Sequence, residues 1–262
     1  MKPEHRSLYV PPDPGLYPGV FPLPHPERVQ ISGAPAHMHG LRALFVSDVH
    51  LRRSVSDARL EMLIGLMRMQ RADLLLLGGD YAEDGDSCAR FFAALRKLSF
   101  PLGAYAVPGN NDPGDAALLQ SMMARAGVTL LKNRCASIRL PGGTLEIAGC
   151  DEHKYGAPRT DGLFSGNGAY RILLSHFPIL PDCACELMLS GHTHGGQFNL
   201  MGVTPYTIGF ERRFPLLAVR GLHRIGEMQL LVSSGVGVSR LPLRIGASPR
   251  IHLLEFCPEV SG

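Results

Sequence analysis

The sequence predicts an α/β fold built as a two-sheet β-sandwich flanked by helices. Two patterns carry that reading. From Leu41 onward, short apolar runs of strand length alternate with segments of helical period, which predicts parallel strands covered by helices. From Cys135 onward, strand-like runs follow one another with little helix between them, enough for a second sheet.

In chain order, residues 1–26 hold eight prolines between Pro3 and Pro26. Each fixes φ and removes a backbone donor, so residues 1–26 read as extended and irregular, within a Pro-rich arm and lead-in over residues 1–40. Residues 41–262 read as a single domain. Arg42–Ser47, Asp73–Leu77 and Ala104–Val107 read as strands. Asp57–Met69 carries apolar residues at 60, 63, 64 and 67, a helical spacing. Ser87–Leu98 and Asp115–Ala126 read as two more helices. The later strands are expected at Cys135–Leu140, Thr144–Cys150, Arg171–Ser175, Leu187–Ser190, Met228–Ser233 and Arg250–Phe256. Gly142-Gly143 supplies a hairpin turn between the first two.

Composition narrows the function classes. Apolar residues make up 45% of the chain and charged residues 19%, a globular balance that argues against disorder. A net charge of +3, with basic pairs only at Arg52-Arg53 and Arg212-Arg213, gives no clear nucleic-acid surface. No apolar run approaches the roughly 20 residues of a transmembrane helix, and the start lacks the pattern of a secretory signal. The six cysteines read as reduced thiols, and Cys183-x-Cys185 lacks a second pair to complete a zinc site. These features point to a cytoplasmic protein, with attachment to a membrane periphery as the variant.

Five apolar runs end in residues able to ligate a metal. They give Asp48-Val49-His50, Gly78-Gly79-Asp80, Gly109-Asn110-Asn111-Asp112, Ser175-His176 and Gly191-His192-Thr193-His194. In α/β sheets, ligands bind beyond the carboxyl ends of strands, so the five loops should converge on one crevice. Each piece has an ordinary structural reading: a strand-end Asp caps or turns, a single His is hydrogen-bonded in a core, and G-N-x-D is a common turn. Those readings leave unexplained why every piece terminates a separate strand. Asp48, His50, Asp80, Asn110, His176, His192 and His194 exceed the needs of one zinc and suit two divalent ions such as Mn²⁺, Fe²⁺ or Zn²⁺. Asp80 is the candidate bridge, since a carboxylate can hold two ions about 3.5–4 Å apart. Two ions less two carboxylates and one hydroxide leave a site of about +1, suited to a phosphate.

The order D-x-H, G-D, G-N-x-D, S-H and G-H-T-H over residues 41–194 resembles the calcineurin-like metallophosphoesterases, whose fold is the αββα sandwich. Ser175-His176-Phe177-Pro178, Gly195-Gly196-Gln197 and the stretch from Gly235 to Gly246 resemble their YkuE- and YaeI-like bacterial branch. The resemblance implies one metal held by Asp48, His50, Asp80 and His194. A second would be held by Asp80, Asn110, His176 and His192, with a bridging hydroxide as the nucleophile. The family has a histidine after the metal-binding asparagine, thought to protonate the leaving group, and this chain has Asn111 there. An amide cannot deliver a proton near neutral pH. The catalytic candidates at this loop are therefore Asn111 and Asp112, with Asp112 otherwise a cap for the following helix. His153 is the candidate replacement acid. Arg52, Arg240 and Arg244 are candidates for phosphate contacts or surface ion pairs.

The expectation is an enzyme that hydrolyses a phosphodiester, phosphomonoester or pyrophosphate-type bond in a small-molecule or lipid-linked substrate. The alternative is a metal-binding scaffold of the same fold without catalysis, for which Asn111 is the supporting feature.

Overall fold

The computed structural model describes residues 4–10, 13, 15–165, 168–209 and 216–258. Arg212-Arg213 lies outside them. The first sheet has six strands in the order β3 (His25–Ile31), β15 (Arg250–Phe256), β4 (Arg42–Val46), β5 (Leu74–Leu77), β6 (Ala104–Ala106) and β7 (Val128–Leu130). The second has seven: β1 (His5–Tyr9), β12 (Gly221–Ile225), β13 (Met228–Val232), β11 (Leu187–Ser190), β10 (Ala169–Leu174), β9 (Gly143–Gly149) and β8 (Arg134–Leu140). A two-stranded ribbon joins β2 (Leu16–Pro18) to β14 (Leu243–Ile245). The α/β sandwich expected from the sequence is therefore present.

The apolar runs are continuous because both faces of the strands are buried. In β4, Ala43 and Phe45 join a core between the two sheets, while Leu44 and Val46 join a second core on the other face. β5 repeats this, with Leu74 and Leu76 facing one core and Leu75 and Leu77 the other. The inter-sheet core is completed by Leu145 and Ile147 of β9, Ile172 and Leu174 of β10, and Leu187 and Leu189 of β11. All three helices, α1 (Asp57–Met69), α2 (Gly85–Leu95) and α3 (Ala116–Arg125), pack on the outer face of the six-stranded sheet. Among the described residues, the outer face of the larger sheet is instead covered by loop side chains such as Leu163, Phe164 and Leu217.

Helix starts follow their caps. Ser56 accepts from the Arg59 amide, Asp84 from Ser87, and Asp115 from Ala117 and Leu118. The Asp84 cap starts α2 two residues earlier than its apolar period suggests.

Two local expectations are corrected. The hairpin loop between β8 and β9 is Pro141-Gly142, with φ +89° at Gly142, while Gly143 already pairs with Leu140. The described residues before Leu41 form three strands where irregular chain was expected over residues 1–26. β1 pairs antiparallel with β12, β2 with β14, and β3 runs parallel to β15 over seven residue pairs. β1 and β3 are edge strands, where proline is tolerated because one side of the ladder needs no donor. Pro26 lies within β3 and Pro18 closes β2, while Pro22 and Pro24 lie between those two strands.

β4, β5, β6 and β7 run parallel, as do β9, β10, β11 and β13, so the carboxyl ends of each set share one edge of its sheet, and the closeness of Asp48 and Asp80 to His176 joins the two edges into one crest. Ile31 of β3 is fully buried in the inter-sheet core. Ile31→Ala should lower unfolding free energy by about 2–5 kcal/mol in urea titration. A loss below about 0.5 kcal/mol, the usual effect of a surface change, would show that β3 is no part of the fold's core.

Candidate metal centre

Every candidate ligand follows a strand by a few residues and sits on that crest. Among the described residues, nine non-glycine residues have positive φ, and five of them are Asp48 (52°), His50 (44°), Asp80 (58°), His192 (69°) and His194 (51°). Such backbones cost energy for L side chains and persist where the surroundings enforce them, which is typical of binding sites. The neighbouring glycines are needed for closeness. A Cβ on Gly109 would overlap the Asp80 amide, and one on Gly191 would overlap the Asp48 carboxylate.

The side chains then meet. Asp80 Oδ2 lies 3.3 Å from His50 Nε2 and 3.4 Å from His176 Nε2. His194 Nε2 lies 3.7 Å from Asp48 Oδ1, and the His50 and His194 rings are 4.8 Å apart. The His192 ring stacks on Phe177 at 3.7 Å and stands 5.2 Å from the His176 ring. Two groups, Asp48–His50–His194 and Asp48–Asp80–His176, keep all their ligand atoms within 4.8 Å of one another. Donors about 2.1 Å from one ion at 90–109° would stand about 3.0–3.4 Å apart, so the spacing fits metal ligation. Asn110 lines the same cavity, and its Oδ1 is buried without a hydrogen-bond partner.

Outer contacts aim the rings. His50 Nδ1 donates to Glu83 Oε1 at 2.6 Å, and His176 Nδ1 donates to the Gly78 carbonyl at 2.8 Å. Both Nε2 atoms are thereby turned into the site, buried and with no partner but the Asp80 carboxylate. A carboxylate or carbonyl behind an imidazole is how proteins orient metal-binding histidines. Burial opposes protonation of His50, yet hydrogen bonds to Asp80 and Glu83 and the charges of Asp80 and Asp48 lift it to about 9. His176 rises to about 10 against the same burial, chiefly through Asp80. Burial alone would raise Asp80, but the charge and hydrogen bond of His176, with those of His50, hold it well below the carboxylate range. The pocket thus attracts positive charge strongly, as a cation site must. His194 is held neutral, by burial first and then by the charges of His50 and Arg244.

Asn111 donates from its amide nitrogens to both Asp80 oxygens, at 2.8 Å from the backbone and 2.7 Å from Nδ2. Asp112 does not cap α3; Asp115 does. Asp112 accepts from the amides of Tyr81 (2.7 Å), Gly109 (2.7 Å) and Asp80 (3.3 Å), tying two of the ligand loops together. Burial, then the Asp80 charge, pushes it up to about 7. His153 packs against Phe177 and is held down at about 4, by burial first and then by the charge of His176, which makes it a poor proton donor near neutral pH.

The arginines divide. Arg244 is fully buried and forms neither a surface ion pair nor a phosphate contact. It donates to the carbonyls of Ser234, Gly237, His194 and Ala247, with Nη2 3.2 Å from His194 Nδ1. Arg52 donates to the Val238 and Ser239 carbonyls. Only Arg240 of the three lines the cavity, together with Lys154. The cavity measures about 370 Å³ and is lined by the polar Asp80, Asn110, Asn111, His192 and His194 and by Phe198, Pro205, Tyr206 and Leu241. None of the described residues before Leu41 lines it. Glu83 has no readable signal in sequence, because an acid near a turn is ordinary, and Arg244 is singled out there for a different role.

The calcineurin-like phosphoesterase family matches residues 41–196, more than half of the chain, and the chain belongs to that family. The uncharacterized metallophosphoesterase YkuE of Bacillus subtilis (strain 168) is 31% identical over 240 residues, covering 87% of this chain and 83% of its own. The phosphodiesterase YaeI of Escherichia coli (strain K12) is 30% identical over 226 residues, covering 82% of each. The solved structure of TT1561 from Thermus thermophilus aligns at TM-score 0.47 and 14% identity, over 74% of this chain and 89% of that one.

Glu83→Ala should weaken metal binding about 10–100-fold, the usual cost of losing an outer-layer partner of a ligating histidine. Titration of the apoprotein with Mn²⁺, followed by calorimetry, measures it. An unchanged affinity would mean that Glu83 does not orient His50.

Proposed function

We propose that the chain is a dinuclear metal-dependent phosphoesterase acting on a phosphodiester, phosphomonoester or pyrophosphate-type bond. The observation that carries this reading is Asp80 Oδ2, held between two inward-facing imidazole nitrogens that hydrogen-bond to nothing else. Asp80 would be shared by two ions. Asp48, His50 and His194 would complete one set, and Asn110, His176 and His192 the other. When bound, such ions polarise phosphoryl oxygens and lower the pKa of a water that serves as nucleophile. Mn, Fe or Zn would all suit this mixed donor set.

The chain's own groups supply the rest. Arg240 and Lys154, distant in sequence and both on the cavity lining, would bind substrate anion. Asn111 would hold Asp80 and donate to substrate oxygen without giving up a proton. Asp112 would act through the loops it joins, as a positioning residue. Residues 41–262 would form one catalytic unit, with the N-terminal strands bracing it. A cytoplasmic setting is supported by six unpaired cysteines. Asn111 is also the observation that favours the alternative, a metal-binding scaffold without turnover. Hydrolysis of bis-p-nitrophenyl phosphate with Mn²⁺ decides between them.

Elemental analysis after reconstitution should find close to two transition-metal ions per chain. Asp80→Asn should lose more metal and more activity than any other single ligand change, because it weakens both sets at once. One ion or none in the wild type would overturn the dinuclear reading, and wild-type rates in Asp80→Asn would remove Asp80 as the bridge.

With an amide at position 111, the leaving group must depart unprotonated or take its proton from solvent or from another side chain. Rates across a series of aryl and alkyl phosphate esters should therefore fall steeply with leaving-group pKa. General acid catalysis is typically worth about 10²–10⁴-fold, so alkyl esters should suffer by that order, and Asn111→His should help them most. A flat dependence in the wild type would mean that another acid is present.

A further inference from the structure

The wall of the cavity continues outward into an apolar projection. Phe198 lines the cavity, and the next residues form a tight turn in which the Leu200 and Val203 backbones hydrogen-bond to each other in both directions at 3.0 Å. Met201 and Gly202 sit at its tip with φ of +54° and +93°. Paired positive φ angles select glycine, asparagine or aspartate in such turns. Methionine there is strained, and its side chain is wholly exposed at 104%. Leu200, Val203, Ile208 and Leu241 are also more than half exposed.

The turn is built rather than loose. Asn199 is buried, its Oδ1 accepts from the Gly202 amide at 2.9 Å, its Nδ2 donates to the Gly195 carbonyl, and its backbone amide donates to Ile245 of β14. Phe198 bridges to Ile245, which pairs with exposed Leu16 of β2, so the projection rests on a ledge with a further apolar residue. Residues 198–209 contain no charged residue, and residues 192–210 and 228–254 contain no Asp or Glu. The cavity that Phe198 lines also carries the cations Lys154 and Arg240, with Asp80 as the one carboxylate among its lining residues. Folding therefore spends strain to hold a methionine in water, on a turn that continues from a cavity carrying two cations. Apolar tips flanked by cations are the makeup of surfaces that sit in the headgroup region of a bilayer.

We propose that the Leu200–Val203 turn, with Ile208 and Leu241, docks on an anionic lipid bilayer and faces the cavity toward amphiphilic phosphoesters held in it. The part concerning substrate rests on the phosphoesterase reading of the cavity; the docking does not. Lipid surface explains both features at once, since its acyl boundary takes the apolar tip and its phosphates take Lys154 and Arg240.

The test uses the metal-reconstituted full chain and vesicles of phosphatidylcholine with a quarter phosphatidylglycerol. Wild type should sediment with these vesicles. Met201→Asn, which suits the turn better than methionine, should reduce the bound fraction at least about threefold, and Met201→Asn with Val203→Ser by about tenfold or more, while Met201→Leu should retain binding. Neither asparagine variant should change turnover of soluble bis-p-nitrophenyl phosphate. Both should slow hydrolysis of hexadecyl p-nitrophenyl phosphate presented in the vesicles. Wild type that turns over the soluble ester but stays in the supernatant would overturn the docking proposal. So would asparagine variants that bind vesicles as wild type does. A protein that docks yet cleaves neither ester would instead overturn the phosphoesterase reading and leave the docking result standing.

Discussion

Two carboxylates, Asp48 and Asp80, are buried almost completely at the junction of the two sheets. Buried charge is costly unless compensated, and compensation here comes from several elements at once. The Asp48 oxygens accept from Ser47 Oγ and from the His192 amide, and the Asp80 oxygens accept from Asn111 while facing His50 and His176. Loops from β4, β5, β6, β10 and β11 are therefore drawn to one point. The raised values of His50 and His176 express the same need, because the pocket draws positive charge whether it comes as protons or as metal.

The cost of that convergence is visible in the backbone. Five ligand candidates occupy the left-handed region, and the surrounding chain holds them there. Asp112 joins the Asp80 loop to the Gly109 loop, and Arg244 gathers four carbonyls beneath His194. Beneath Asp48 a further chain of contacts runs to the N-terminal strand. Glu27 of β3 pairs with His252 of β15 at 3.0 Å, His252 Nε2 faces Ser233 Oγ at 2.9 Å, and Ser233 Oγ accepts from Gly235. Gly235 has φ +70° and lies so close under Asp48 that a Cβ there would stand 2.6 Å from the Asp48 Cβ. Strand β3 thus bears on the floor of the site, although none of the described residues before Leu41 lines the cavity.

What the sequence by itself determined is the chemistry at the strand ends. Each apolar run of β4, β5, β6, β10 and β11 names its own buried strand, and the polar residue closing it is a local fact. Parallel pairing gathers the ends of β4, β5 and β6 in one sheet and those of β10 and β11 in the other, which is enough to propose Asp48, His50, Asp80, Asn110, His176, His192 and His194 as one set. The face-to-face packing of the two sheets is what brings Asp48, His50, Asp80, His176 and His194 together. Tertiary structure decided what depends on register between distant segments. It put Glu83 behind His50, turned Asp112 from a helix cap into a tie between loops, and buried Arg244, which sequence alone assigns to the surface. It recruited Pro-rich residues into edge strands, because proline's missing donor is harmless only where no neighbour asks for it, and sequence does not say which strands will be edges. It also set Met201 on a strained turn in water beside the cavity, since exposure is a property of the packed chain and no residue carries it alone.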